Sequence, residues 1–107
     1  MVATDTIASE IVRRVLGTAR PDKIVLFGSR ARESHRAGSD YDLLVIQPSD
    51  QPRYRRAVPF YRALAGLPAE VDVVVYTPEE VADWSAVPEA FVTTALREGV
   101  VLYEGQG

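Results

Sequence analysis

The sequence predicts an α/β (α+β) fold, a small mixed β-sheet of about four strands flanked by helices. Three observations carry that expectation. Four short apolar runs stop abruptly at glycine, proline or polar residues, as buried strands do. Between them lie stretches whose apolar residues recur at helical spacing, which is the mark of a layered α/β arrangement. The link between the first two runs is too short for a full crossover helix, so those strands are expected to be antiparallel and the sheet mixed.

Ile7, Ile11, Val12, Val15 and Leu16 define an amphipathic first helix, with Thr4, Asp5 and Thr6 as candidate caps and Gly17 with Pro21 as its stop. Lys23–Phe27 is the first strand and ends at Gly28. A short helix over 29–33 and a polar loop over 35–39 are expected next. Tyr41–Ile46, stopped by Pro48, is the second strand. The segment 52–66 has helical character, with Tyr54, Ala57, Val58, Tyr61, Leu64 and Ala65 on one face. Pro59 either kinks that helix or starts it, because proline in a helix interior loses a hydrogen bond and clashes with the preceding turn. Val71–Tyr76 is a valine-rich third strand. Thr77-Pro78-Glu79-Glu80 reads as a capping box with proline in the first turn. A last helix over 88–98 carries Phe91, Val92, Ala95 and Leu96 on one side, Gly99 ends it, and 100–103 is a fourth strand.

A chain of 107 residues fits one domain, taken as 1–104 with a flexible tail at 105–107. That leaves little room for a separate acceptor-binding domain. Twelve basic against fifteen acidic residues give a net charge of −3, which disfavours general nucleic-acid binding. No cysteine is present, so disulfides and Cys-ligated zinc are excluded and a reducing compartment fits. The first ten residues lack a basic start and an apolar run, and no stretch approaches the length of a membrane span. A cytoplasmic protein with no membrane association is the expectation.

The chemistry concentrates between Ile24 and Ile46. Asp40 and Asp42 are two apart, so a strand projects both from one face. Adjacent carboxylates resist joint ionisation unless a cation compensates, and Mg²⁺ favours carboxylates together with substrate phosphates. Alternatively Asp40 faces solvent and Asp42 pairs with an arginine. Gly28 allows a ligand close to the backbone, and the amides after it with the Ser29 hydroxyl can hold phosphate oxygens; an ordinary strand-to-helix turn is the plain alternative. Asp72 interrupts a run of valines and needs a partner there. Beside Asp42 it would complete a three-carboxylate site; otherwise it lies on a solvated edge or in an ion pair. Each element alone is commonplace. Arg53, Arg55, Arg56 and Arg62 read as a solvated helix face or as a contact for an acidic partner or the acceptor, His35 as a solvated loop residue, and Phe60, Tyr61, Trp84 and Phe91 as core or interface.

Taken in order, Gly28-Ser29, Asp40-Tyr41-Asp42, the 71–75 strand with Asp72, and the ending Arg97-Glu98-Gly99 resemble the polymerase-β-like nucleotidyltransferase superfamily, in particular its minimal nucleotidyltransferase (MNT) branch. The resemblance spans nearly the whole chain and implies the nucleotidyltransferase fold. It implies that Gly28, Ser29 and Arg30 bind a nucleoside triphosphate, that Asp40 and Asp42 ligate Mg²⁺, and that Asp72 is the third acid, with two ions in all. It further implies AMP transfer from ATP to a hydroxyl, plausibly a tyrosine, of a HEPN-domain toxin held in an oligomer with this chain. A steric antitoxin and a small-molecule nucleotidyltransferase are the alternatives. Glu33 stands where many members carry glycine and adds a negative charge beside the phosphate turn.

Overall fold

The computed structural model describes residues 6–28 and 40–105. The expected helix over 29–33, the loop over 35–39 with His35, the capping residues Thr4 and Asp5, and Glu33 lie outside the described residues. Helix α1 (Thr6–Thr18) leads into β1 (Lys23–Phe27) and β2 (Tyr41–Ile46). Then come α2 (Arg53–Arg56), α3 (Val58–Ala63), β3 (Val71–Tyr76), α4 (Pro78–Trp84), α5 (Phe91–Glu98) and β4 (Val100–Glu104). The strands form one sheet in the order β3-β2-β1-β4. β1 is antiparallel to both β2 and β4, while β2 and β3 are parallel. The mixed sheet read from the sequence is therefore present, and the two segments α2 and α3 provide the crossover that a parallel pair requires.

Strand alternation divides the core between the two faces of the sheet. Ile24, Leu26, Leu43, Val45, Val73 and Val75 pack with Ile11, Val15, Phe60 and Leu64 under α1 and α3. Val25, Leu44, Ile46 and Tyr76 pack on the other face with Val92 and Ala95 of α5. β2 is buried along its whole length except at Asp42, which is only half-buried. Hydrogen bonding runs one residue beyond β4, where the Gly105 N–H donates to Asp22 O at 2.8 Å.

Pro59 starts a helix and does not kink one. α2 ends at Arg56, Ala57 is the junction, and Pro59 lies in the first turn of α3, where its missing N–H is harmless. The break resets the helical phase and alters which residues face inward. Phe60 and Leu64 are buried, whereas Tyr54 is 77% exposed and Tyr61 44%. Of the apolar face expected over 52–66, Leu64 is buried and Ala57 packs against the core, while Tyr54, Val58 and Tyr61 are exposed and Phe60 takes the inward place instead.

Tyr61 and Arg56 of this crossover serve the edge of β3. The Val73 N–H donates to Tyr61 Oη at 2.8 Å. Arg56 Nη1 donates to Val75 O at 3.3 Å. Two groups of an otherwise open strand edge are satisfied in this way, which protects the edge from pairing with another chain. Tyr61→Phe leaves the Val73 N–H without that partner and is expected to lower stability by about 1 kcal/mol, measured by urea unfolding.

Glu80 joins this edge to α4. The Thr77 hydroxyl accepts from the Glu80 N–H, and the Glu80 carboxylate accepts from the Thr77 N–H, completing the expected capping box. The same carboxylate is paired with Arg56 at 2.8 Å, where the arginine side chain is only 10% exposed, and Arg53 approaches it at 3.6 Å. The Arg56 hydrogen bonds, followed by the Thr77 amide, hold the Glu80 carboxyl down from its ordinary 4.5 to about 2. A lowered carboxyl stabilises the fold above its unfolded value, and that stability is lost as pH falls from about 4.5 toward 2. Glu80→Gln keeps a capping-box partner but removes the charge. It is expected to cost about 1–3 kcal/mol at pH 7 and much less near pH 2, read from denaturation curves at both pH values.

Candidate active site

β1 ends in Phe27 and the chain turns at Gly28, whose φ of +75° is in the left-handed region that glycine adopts freely. Phe27 is the register partner of Asp42 on β2, and Asp42 is the register partner of Asp72 on β3. Because β2 and β3 are parallel and in register, the two carboxylates project from neighbouring strands on the same face, the one covered further along by α5. Asp40 precedes β2 by one residue. Tyr41 between the two acids is buried on the opposite face, and its N–H donates to Glu70 O at 2.9 Å, which fixes the entry of the strand.

Burial pushes the Asp42 carboxyl above the usual carboxylate range, and the charges of Asp72 and then Asp40 push it further in the same direction. Among the described residues, no lysine or arginine forms an ion pair with any of the three acids. Among the described residues, the arrangement concentrates negative charge at one end of the sheet without a paired cation. Asp42 and Asp72 are brought together by register and Asp40 lies within electrostatic reach. Among the described residues, however, no group of three acids is drawn closely enough to enclose an ion by itself.

Gly28 closes the site from the β1 side. A Cβ built on it would collide with Asp42 Oδ2. The turn therefore lies directly against the carboxylate, and the lack of a side chain keeps the space above Asp42 open. An all-oxygen donor set, carboxyl groups that repel one another, and a bare glycine cradle beside them suit a hard divalent cation bridging carboxylates and phosphate oxygens. Ser29 and Arg30, the other expected phosphate ligands, lie outside the described residues.

The sequence did not single out the groove beside this turn. Phe27, Gly28, Phe91, Thr94, Ala95 and Glu98 line a cavity of about 300 Å³. The signal was available: Phe91, Thr94, Ala95 and Glu98 are spaced to share one face of α5. That face mixes apolar and polar groups, and so does not stand out as core. Phe91 is 45% exposed although its ring meets Phe27 edge-on at 5.1 Å and Tyr76 at 6.2 Å.

Residues 6–96 match the family described as the nucleotidyltransferase domain. No curated protein gives a significant match. Solved structures share the architecture. One, described as a candidate nucleotidyltransferase from Sulfolobus solfataricus, superposes with a TM-score of 0.66 at 20% identity, covering 97% of this chain and 88% of that one. A toxin–antitoxin structure with AMP-PNP gives 0.63 at 18% identity, over 92% of this chain and 74% of that one. A mutant of the MntA–HpeT toxin–antitoxin gives 0.62 at 16% identity, with the same coverages of 92% and 74%. At such identities the likeness is one of fold.

Proposed function

The chain belongs to the nucleotidyltransferase domain family, and from that premise we propose that it transfers AMP from Mg·ATP to a hydroxyl group of a partner protein, a HEPN-type RNase toxin that it thereby neutralises. The observation that carries this reading is the Asp42–Asp72 pair in register beside the Gly28 turn. An adenine-nucleotide donor and a toxin partner are supported by the fold shared with toxin–antitoxin structures, one of them with AMP-PNP, while the hydroxyl acceptor and the HEPN class rest on the family resemblance of the sequence.

Each residue then has a defined task. Asp40 and Asp42 would hold Mg²⁺, and Asp72 would be the third acid, serving a second ion. When bound, the ions neutralise the triphosphate and lower the pKa of the acceptor hydroxyl. The Gly28 turn, with Ser29 and Arg30, grips the phosphate oxygens and presents the α-phosphorus. The acceptor oxygen forms a bond to that phosphorus on the side opposite the β-phosphate. The bond to the bridging oxygen breaks, and pyrophosphate leaves. Asp72, exposed on the outer strand, orients the attacking hydroxyl and takes its proton.

A steric antitoxin would need none of this chemistry. Toxin neutralisation by Asp40→Ala and Asp42→Ala variants separates the two readings. Loss of neutralisation while the variants still bind the toxin is the expected result. Neutralisation at full strength would overturn the catalytic reading, as would label from ATP appearing only on a small hydroxylated compound.

A further inference from the structure

The crossover between β2 and β3 is a positive island. Residues 51–69 include Arg53, Arg55, Arg56 and Arg62 and no acidic residue, so all fifteen acids of the chain lie outside it. Glu80, the acid that pairs with it among the described residues, is held by Arg56 and approached by Arg53. Arg55 and Arg62 are exposed and form no ion pair among the described residues. The same segment is rich in exposed apolar surface. Tyr54 is 77% exposed, with the Arg55 guanidinium 5.9 Å from its ring centre. Val58, also exposed, shares a face of α3 with Arg62 one turn on. Arg53 continues this surface round the edge of β3. It lies over the Tyr76 ring at 4.5 Å and, with Tyr76, Trp84, Ala90, Phe91 and Val92, lines a cavity of about 230 Å³. Of the six large apolar side chains exposed among the described residues, only Val101 lies away from the crossover and this cavity.

We propose that this surface docks the acceptor protein through an acidic segment, with an apolar side chain of that segment seated in the cavity beside Arg53. The inference rests on the nucleotidyl-transfer reading and adds how the acceptor is held. Arginine, tyrosine and tryptophan grouped around a small pocket have the composition of an interface hot spot, and exposed apolar side chains gathered in one patch mark a binding surface. Unpaired guanidinia on a chain that is negative overall select an acidic partner and fix its register, because the remaining surface carries the acids and repels one. RNA is the weaker fit. Within the crossover only Arg55 and Arg62 have guanidinia outside an ion pair, too few to hold a polyphosphate backbone to a chain of net charge −3. The position also suits the chemistry. Tyr61 accepts from the Val73 N–H at 2.8 Å, and Val73 follows Asp72, the acid that takes the acceptor proton. A protein seated on the crossover borders the strand at which its hydroxyl reacts.

Steady-state kinetics with ATP labelled at the α-phosphate test the proposal, the varied substrate being the protein that takes the label. Arg55→Glu combined with Arg62→Glu is expected to raise the KM for that protein roughly tenfold or more and to leave kcat and the KM for ATP unchanged. The parent's KM for the acceptor should rise with salt, and that of the charge-reversed variant should not. Trp84→Ala is expected to raise the same KM roughly tenfold without altering its salt dependence, and it carries the test if the charge reversal does not fold. The proposal is overturned if both variants keep the parent's KM for the acceptor, or if the loss falls on kcat and the KM for ATP. It is also overturned if the charge reversal leaves the acceptor KM intact and instead removes binding of a single-stranded RNA oligonucleotide in a gel-shift titration, or dissociates a dimer of the parent in sedimentation. Failure of any protein to take α-label from the parent would overturn the nucleotidyl-transfer reading, and this inference with it.

Discussion

Asp42→Asn is expected to abolish nucleotidyl transfer and, at the same time, to stabilise the metal-free protein. The loss should be roughly a thousandfold or more, about 4 kcal/mol of transition-state stabilisation, because the substitution removes the one acid that adjoins both Asp72 and the Gly28 turn. The gain follows from the direction of its titration. Burial and two acidic neighbours raise the Asp42 carboxyl in the folded protein above its ordinary 3.8. The fold therefore favours the protonated form, and the metal-free protein loses stability as pH rises from 3.8 through the raised value. Asparagine removes that loss at neutral pH. A midpoint of thermal unfolding a few degrees above the parent at pH 7, with the difference vanishing below pH 3.8, is the predicted pattern. Mg²⁺ should reverse the order, raising the midpoint of the parent and leaving that of Asp42→Asn unmoved. A variant that melts below the metal-free parent at pH 7 would contradict the account.

Gly28→Ala is expected to lower stability and activity together. Two penalties act at this residue. At φ +75° an L side chain costs about 1–2 kcal/mol. The added methyl group would also collide with Asp42 Oδ2, so the carboxylate must move or the turn must open. Gly66 provides the control, with φ +88° and nothing within 4 Å of a Cβ built there. Gly66→Ala should lose about 1–2 kcal/mol and keep full activity. Gly28→Ala should lose more stability than Gly66→Ala and at least roughly a hundredfold in rate, because the displaced group is a proposed metal ligand. Equal stability costs at the two glycines, with activity intact in both, would show that the turn does not control the carboxylate.

The sequence made much of this legible for physical reasons that can be named. Asp72 stands out because an acid among valines has no purpose in a buried strand. Asp40-x-Asp42 is visible because strands have a period of two. The capping box at Thr77 and Glu80 is a local device, confined to four residues, and needs no tertiary information. What could not be read depends on contacts across the chain. Pro59 is compatible with a kink or a start, and only the burial of Phe60 and Leu64 decides between them. Arg56 looked like part of a solvated cluster, and its partner Glu80 is twenty-four residues away. Tyr61 reads as core or interface from helical spacing, whereas its role is to satisfy one backbone N–H on β3, a partner twelve residues away that only the fold supplies. The α5 groove escaped notice because an aromatic, a threonine, an alanine and a glutamate on one helix face form no recognised pattern. Within the site, the pair is clearer than the trio: register brings Asp42 to Asp72, while Asp40 remains outside the strand.

Transfer of a nucleoside monophosphate by these acids should depend on Mg²⁺. It is tested most directly by incubating the chain and its partner with ATP labelled at either the α- or the γ-phosphate. The expected result is that α-label enters the partner only when Mg²⁺ is present, that γ-label never does, and that Asp42→Asn blocks incorporation. Incorporation of γ-label, or of α-label by the Asp42→Asn protein at the parent rate, would contradict it.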